Sequence, residues 1–75
     1  NFVKTLNIQL TPFKMILKKI RIARLEKDYS QEYMADYLGV SQSAYSNLEK
    51  GKTKMNLKCL KKISKILDID LLNEY

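Results

Sequence analysis

Three residues, Gly39-Val40-Ser41, are all that separate two short stretches of helical apolar spacing, and this limits how the two can meet. The upstream stretch opens at Tyr29-Ser30, where Ser30 is a good N-cap and Tyr29 and Met34 stand at the two positions of a hydrophobic staple. Its inner face is Met34, Ala35 and Leu38, and it stops at Gly39, where a left-handed residue is expected. The downstream stretch is capped by Ser41 and runs to about Lys50, with Ala44, Tyr45 and Leu48 pointing inward. So short a turn cannot fold the second helix back antiparallel on the first; it sets the pair at a steep angle. Small Ala35 permits close approach, Gly39 supplies the turn, and Val40 is expected to plug the angle. Met34, Leu38, Tyr45 and Leu48 then complete a shared core, leaving Gln42, Ser43, Ser46, Asn47 and Lys50 on one outward arc.

Helical spacing continues on both sides. Thr11-Pro12 is a start signal, a hydroxyl cap followed by proline at the first helical position. Phe13, Ile16, Leu17, Ile20, Ala23 and Arg24 then share one stripe, while Met15 and Ile22 lie opposite, apolar where a monomer should be polar. Downstream, Gly51-Lys52-Thr53-Lys54-Met55 is a basic loop, and Asn56 caps a fourth helix. That helix is expected to bury Leu57, Leu60, Ile63 and Leu67 and to expose Lys58, Lys61, Lys62 and Lys65. Asp70 caps a short last turn containing Leu71 and Leu72. Residues 1–10 differ: Phe2, Leu6, Ile8 and Leu10 recur at period two, interrupted by Lys4, the mark of a half-buried strand. A lone strand needs a partner from another chain or stays a mobile arm. The expected fold is therefore all-α, a compact domain of four to five helices over residues 11–75 behind an N-terminal β-strand arm over residues 1–10.

Composition narrows the function. The chain has 75 residues, enough for one domain with a small core. It has no histidine and one cysteine, which removes imidazole catalysis, zinc sites and internal disulfides. Asp68 and Asp70 resemble the start of a calcium loop, but Leu72 and Asn73 follow where a ligand and a glycine are needed. No cofactor or metal is expected, and an enzyme is disfavoured. No apolar run exceeds three residues, which leaves neither a membrane span nor a signal-peptide core, and the lone Cys59 suits a reducing, cytoplasmic compartment. The formal charge is +6. Lysines 50, 52, 54, 58, 61, 62 and 65 form an acid-free run, which fits either a polyanion partner or a solvated helix face.

The stretch Gln31-Glu32-Tyr33-Met34-Ala35-Asp36-Tyr37-Leu38-Gly39-Val40-Ser41-Gln42-Ser43-Ala44-Tyr45-Ser46-Asn47-Leu48-Glu49-Lys50-Gly51 resembles the lambda-repressor-like helix-turn-helix family of phage repressors and xenobiotic-response-element-type regulators. The likeness extends back through Ile20-Arg21-Ile22-Ala23-Arg24 and forward to Leu72. Two positions depart from the usual pattern: Tyr45 is larger than the common aliphatic, and Asp28 replaces a common glycine. The resemblance implies double-stranded DNA as partner, with the third helix in the major groove and a homodimer reading paired half-sites. It implies that Gln31 binds a phosphate at the start of helix two, and that Gln42 reads a base edge, supported by Ser41, Ser43, Ser46 and Asn47 along residues 41–50. Lys50, Lys52 and Lys54 would contact backbone phosphates. It also implies a structural pairing of Arg24 with Glu49. The lysines at 58, 61, 62 and 65 read as a solvated face.

Three functions remain in competition. The first is a dimeric transcriptional repressor, its dimer made through residues 2–10 and Leu71/Leu72. The second is an antitoxin-type protein that autoregulates its operon and binds a protein partner through the strand arm and the face of Tyr33 and Tyr37; packing of those tyrosines against a neighbouring helix is the plainer account. The third is an interaction module that has lost DNA binding.

Overall fold

Proline has no backbone N–H to leave unsatisfied and a φ already suited to a helix. In the computed structural model, which describes residues 12–71, Pro12 accordingly opens α1, Pro12–Glu26. The chain continues through α2, Gln31–Leu38, α3, Gln42–Lys50, and α4, Leu57–Leu67. Among the described residues the architecture is all-α, with no strand, and no helix is long and apolar enough to cross a membrane. The strand expected over residues 2–10, the cap at Thr11, and Leu72 of the expected last turn lie outside the described residues.

The helix starts follow the capping residues of the sequence. Ser30 Oγ accepts from the Tyr33 amide at 2.9 Å, Ser41 Oγ from Ala44 at 3.0 Å, and Asn56 Oδ1 from Cys59 at 2.8 Å. All four helices stop the same way. Asp28, Gly39, Gly51 and Asp68 each adopt a left-handed conformation, with φ of 59°, 74°, 81° and 53°. In each case the next amide reaches back five residues: Tyr29 to Arg24, Val40 to Ala35, Lys52 to Asn47, and Ile69 to Ser64. This paired closure satisfies carbonyls that a bare helix end would leave open. Aspartate tolerates the left-handed region better than most residues, which is how Asp28 closes α1 without a glycine. Asp68 is thus a helix stop.

The two glycines should respond differently to substitution. A Cβ on Gly39 would meet nothing within 4 Å, whereas one on Gly51 would come within 2.8 Å of Leu17 Cδ1 and 3.7 Å of Phe13 Cε2. Gly39→Ala is expected to cost about 1–2 kcal/mol from the left-handed backbone alone. Gly51→Ala should cost about 1 kcal/mol more, because Leu17 must move within a packed core. Equal losses in urea denaturation would contradict this.

One core joins the four helices. Ile16, Leu17, Ile20 and Ala23 of α1 meet Met34 and Ala35 of α2, Tyr45 and Leu48 of α3, and Leu60, Ile63 and Leu67 of α4, with Phe13, Tyr29 and Leu38 packed at its edge. The expected inward stripes hold except at Ala44, which is only half-buried and outside this core, and with three further corrections. Val40 does not plug the angle between α2 and α3; it is 38% exposed, because the left-handed turn at Gly39 returns its amide to Ala35 while its side chain stays outside. Leu57, the first residue of α4, is 50% exposed. Its place is taken by Met55, which lies just before the Asn56 cap and is buried with Leu60 across the first turn, a staple pair. Leu71 is fully buried in the chain's own core, so it offers no surface to a dimer partner.

Candidate nucleic-acid interface

The third helix is anchored from beneath. Tyr45 and Leu48 are buried on its inner side, while Gln42 and Ser43 at its start and Lys50 at its end are exposed; Ser46 and Asn47 are half-buried. Ser41, itself exposed, is committed through its hydroxyl to the Ala44 amide. Asn47 accepts the Lys52 amide on its backbone carbonyl at 2.9 Å, which ties the start of the basic loop to the helix end. Lys52 and Lys54 are exposed, and Lys54 borders a cleft with Val40, Leu48, Cys59 and Lys62. Lys52 thus stands beside the end of α3, while Lys54 lies at a cleft shared with the start of α4. Burial pushes the Cys59 thiol up from its ordinary value, so it is a poor nucleophile.

Behind the inner end of α3 lies a polar cluster centred on Glu49. Arg24 grips its carboxylate with two donors, Nε to Oε2 at 2.8 Å and Nη2 to Oε1 at 3.0 Å. Tyr45 donates its hydroxyl to Oε2 at 2.6 Å, one helical turn earlier on the same face. Gln31 donates Nε2 to Oε1 at 3.3 Å. The third guanidinium nitrogen of Arg24, Nη1, donates to the Tyr29 carbonyl at 2.9 Å. One carboxylate thus joins α1, the entrance to α2, and α3, and the Arg24–Glu49 pairing implied by the family resemblance is present. Two of these links were not expected. Tyr45 reads in sequence as an apolar core residue, although its i, i+4 spacing to Glu49 is a signal for the bond. Gln31 was expected to face a phosphate, yet one of its two amide N–H groups is committed to Glu49, which leaves the second and the helix-start amides.

The electrostatics follow from this packing. Burial pushes the Glu49 carboxyl up, but the bonds from Arg24 and Tyr45 outweigh it and hold the group below the usual glutamate range. Burial first, and then the bond to Glu49, drive the Tyr45 hydroxyl well above its ordinary value. The lowered Glu49 stabilises the fold fully above the unfolded glutamate value of about 4.3, and that contribution is lost as pH falls through the lower folded value. The raised Tyr45 acts oppositely, being lost only as pH rises beyond about 10. Urea midpoints should therefore fall on acidification below about pH 4.3, and the fall should be shallower in Glu49→Gln. Parallel profiles would show that Glu49 does not couple folding to protons.

A second basic surface was missed in sequence. Lys14, Lys18 and Arg21 of α1 line a cleft of about 380 Å³ with Leu17, Glu49 and Lys50. Their spacing of four and three residues places them on one helix side, and this was the available signal.

Residues 20–72 match the model of the helix-turn-helix family. Over 55 residues the chain is 40% identical to the "SPbeta prophage-derived uncharacterized HTH-type transcriptional regulator YonR" of Bacillus subtilis (strain 168), covering 73% of this chain and 51% of that protein. It is also 37% identical over 57 residues to the "Uncharacterized HTH-type transcriptional regulator YqaE" of the same strain, covering 76% of this chain and 49% of that protein. The chain spans about half the length of these curated relatives. No solved structure matches it significantly.

Proposed function

This chain belongs to the helix-turn-helix family of lambda-repressor-like regulators, and we propose that it is a sequence-specific DNA-binding transcriptional repressor that acts as a dimer. The observation that carries the reading is the exposed start of α3, where Gln42 and Ser43 stand on a helix held by buried Tyr45 and Leu48 beside exposed Lys50, Lys52 and Lys54. Residues 41–50 enter the major groove, Gln42 reads a base edge with Ser41, Ser43, Ser46 and Asn47 in support, and Gln31 and the three lysines take phosphates. Glutamine and asparagine pair bidentately with adenine, so each half-site should favour adenine opposite Gln42. The names of the two relatives, both HTH-type transcriptional regulators, support regulation of transcription. No catalytic step belongs to this reading.

Selection of sites from random DNA, followed by binding to the enriched duplex, tests it. Gln42→Ala should cost about 1–3 kcal/mol on the best site and relax preference at one base pair. Lys52→Ala should weaken all duplexes alike and lower the salt slope by roughly one. Unchanged discrimination in Gln42→Ala would overturn the assignment of the recognition residues. One observation favours a second, antitoxin-type reading. Tyr33 and Tyr37, one turn apart on α2, are 48% and 43% exposed, and the Tyr33 ring lies 4.5 Å from that of Tyr29 just before the helix. Under the repressor reading, Tyr33→Ala with Tyr37→Ala leaves operator affinity unchanged.

A further inference from the structure

We infer that the cleft between α1 and the end of α3 is a binding site for the phosphodiester backbone of nucleic acid, with Lys18 and Arg21 of α1 and Lys50 of α3 as its cationic wall. This rests on the DNA-binding reading and extends the contact surface beyond the residues that reading assigns. Lys14, Lys18, Arg21 and Lys50 converge on one opening of about 380 Å³, from two helices that the core holds together. Leu17 is buried beneath the opening, whose surface mixes the apolar stems of the basic side chains with their charged ends. The exposed apolar residues of α1 are Met15, Ile22 and Leu25: Met15 and Ile22 line a neighbouring groove with Lys18 and Lys19, and Leu25 follows Arg21 by one turn on the side of the basic wall. Glu49 is the one acid at the cleft, and its carboxylate is already engaged by Arg24, Tyr45 and Gln31. An anion approaching the opening therefore meets lysine and arginine heads, with the glutamate charge compensated behind them. Lys18 and Arg21 are three residues apart on one side of α1, about 4.5 Å along the axis, and Lys50 faces the same opening from α3. Lys50 joins this wall to the polar face of α3, so a duplex seated on that face can run onto it.

The test compares the full chain with Lys18→Gln/Arg21→Gln and with a charge-matched control, Lys61→Gln/Lys65→Gln, on α4. Each is titrated with the selected duplex between 50 and 200 mM salt. Loss of two phosphate contacts should lower the salt slope by about 1.8, so that the variant's affinity falls by roughly tenfold less over that range. Sequence preference should be retained, and the control should keep a slope near that of the parent. A cleft variant with the parent's slope on a specifically bound duplex overturns this inference and leaves the DNA-binding reading intact. A cleft variant indistinguishable from the control also overturns it. If the cleft variant keeps the parent's DNA slope but loses binding to polyglutamate, the site belongs to an acidic protein segment. If the parent itself shows no preference among duplexes, the DNA-binding reading fails and the inference falls with it.

Discussion

Glu49→Ala is expected to cost about 3–5 kcal/mol of folding stability, the largest loss from any single substitution in the polar part of the chain. The reason is what the alanine leaves behind. The Arg24 side chain is 10% exposed and would keep its charge with only the Tyr29 carbonyl as partner, while the Tyr45 hydroxyl would be buried with no acceptor. A 75-residue domain has roughly 4–11 kcal/mol in total, so much of the population should unfold in mild urea. The ion pair itself need not be strongly favourable. Combining Arg24→Met, Tyr45→Phe and Glu49→Leu, which removes charge and hydroxyl together, should recover most of the loss. Circular dichroism in urea distinguishes the two. If Glu49→Ala costs less than about 1 kcal/mol, the cluster is solvated in solution and its role here is overstated.

Leu71→Ala is expected to cost about 2–5 kcal/mol, although Leu71 lies outside every helix. Asp68 turns the chain at the end of α4, the Ile69 amide reaches back to Ser64, and the Ser64 hydroxyl donates to the Ile69 carbonyl. That closure directs Leu71 into the core, where it is fully buried. Ile22→Ala on the exposed side of α1 is the comparison and should change the urea midpoint little. A Leu71 variant as stable as the Ile22 variant would place Leu71 at the surface.

The contrast between Leu71 and Leu57 shows what was legible in the sequence. Helical stripes, serine and asparagine caps and the glycine stop at position 39 each depend on residues a few positions apart, and the structure has them where the spacing predicts. Leu57 failed because periodicity cannot tell that a residue before the cap, Met55, will fill the site first. Val40 failed because a turn fixes the backbone more firmly than it aims the next side chain. In the candidate interface, the polar arc of α3 and the loop lysines were readable from one local stretch. The links from Gln31 and Arg24 to Glu49 span 18 and 25 residues. Of these, the Arg24 pairing came from family resemblance and the Gln31 bond from neither source. The basic wall of α1 needed α3 folded against it before its charges formed a cleft.

The four donor atoms that converge on Glu49 also constrain how this domain can change. Arg24, Gln31 and Tyr45 share one acceptor, so their contributions are conditional on it and on each other. Once Glu49 is gone, losing Arg24 should be nearly neutral or even beneficial, whereas with Glu49 present it is severe. A lineage exchanging these residues singly crosses a stability trough, and one exchanging them together does not. Positions 24, 45 and 49 should therefore turn over as a block, with Gln31 following. Because Gln31 also begins α2, where a phosphate is proposed to sit, drift in buried electrostatics would reach DNA affinity without any substitution on the recognition face.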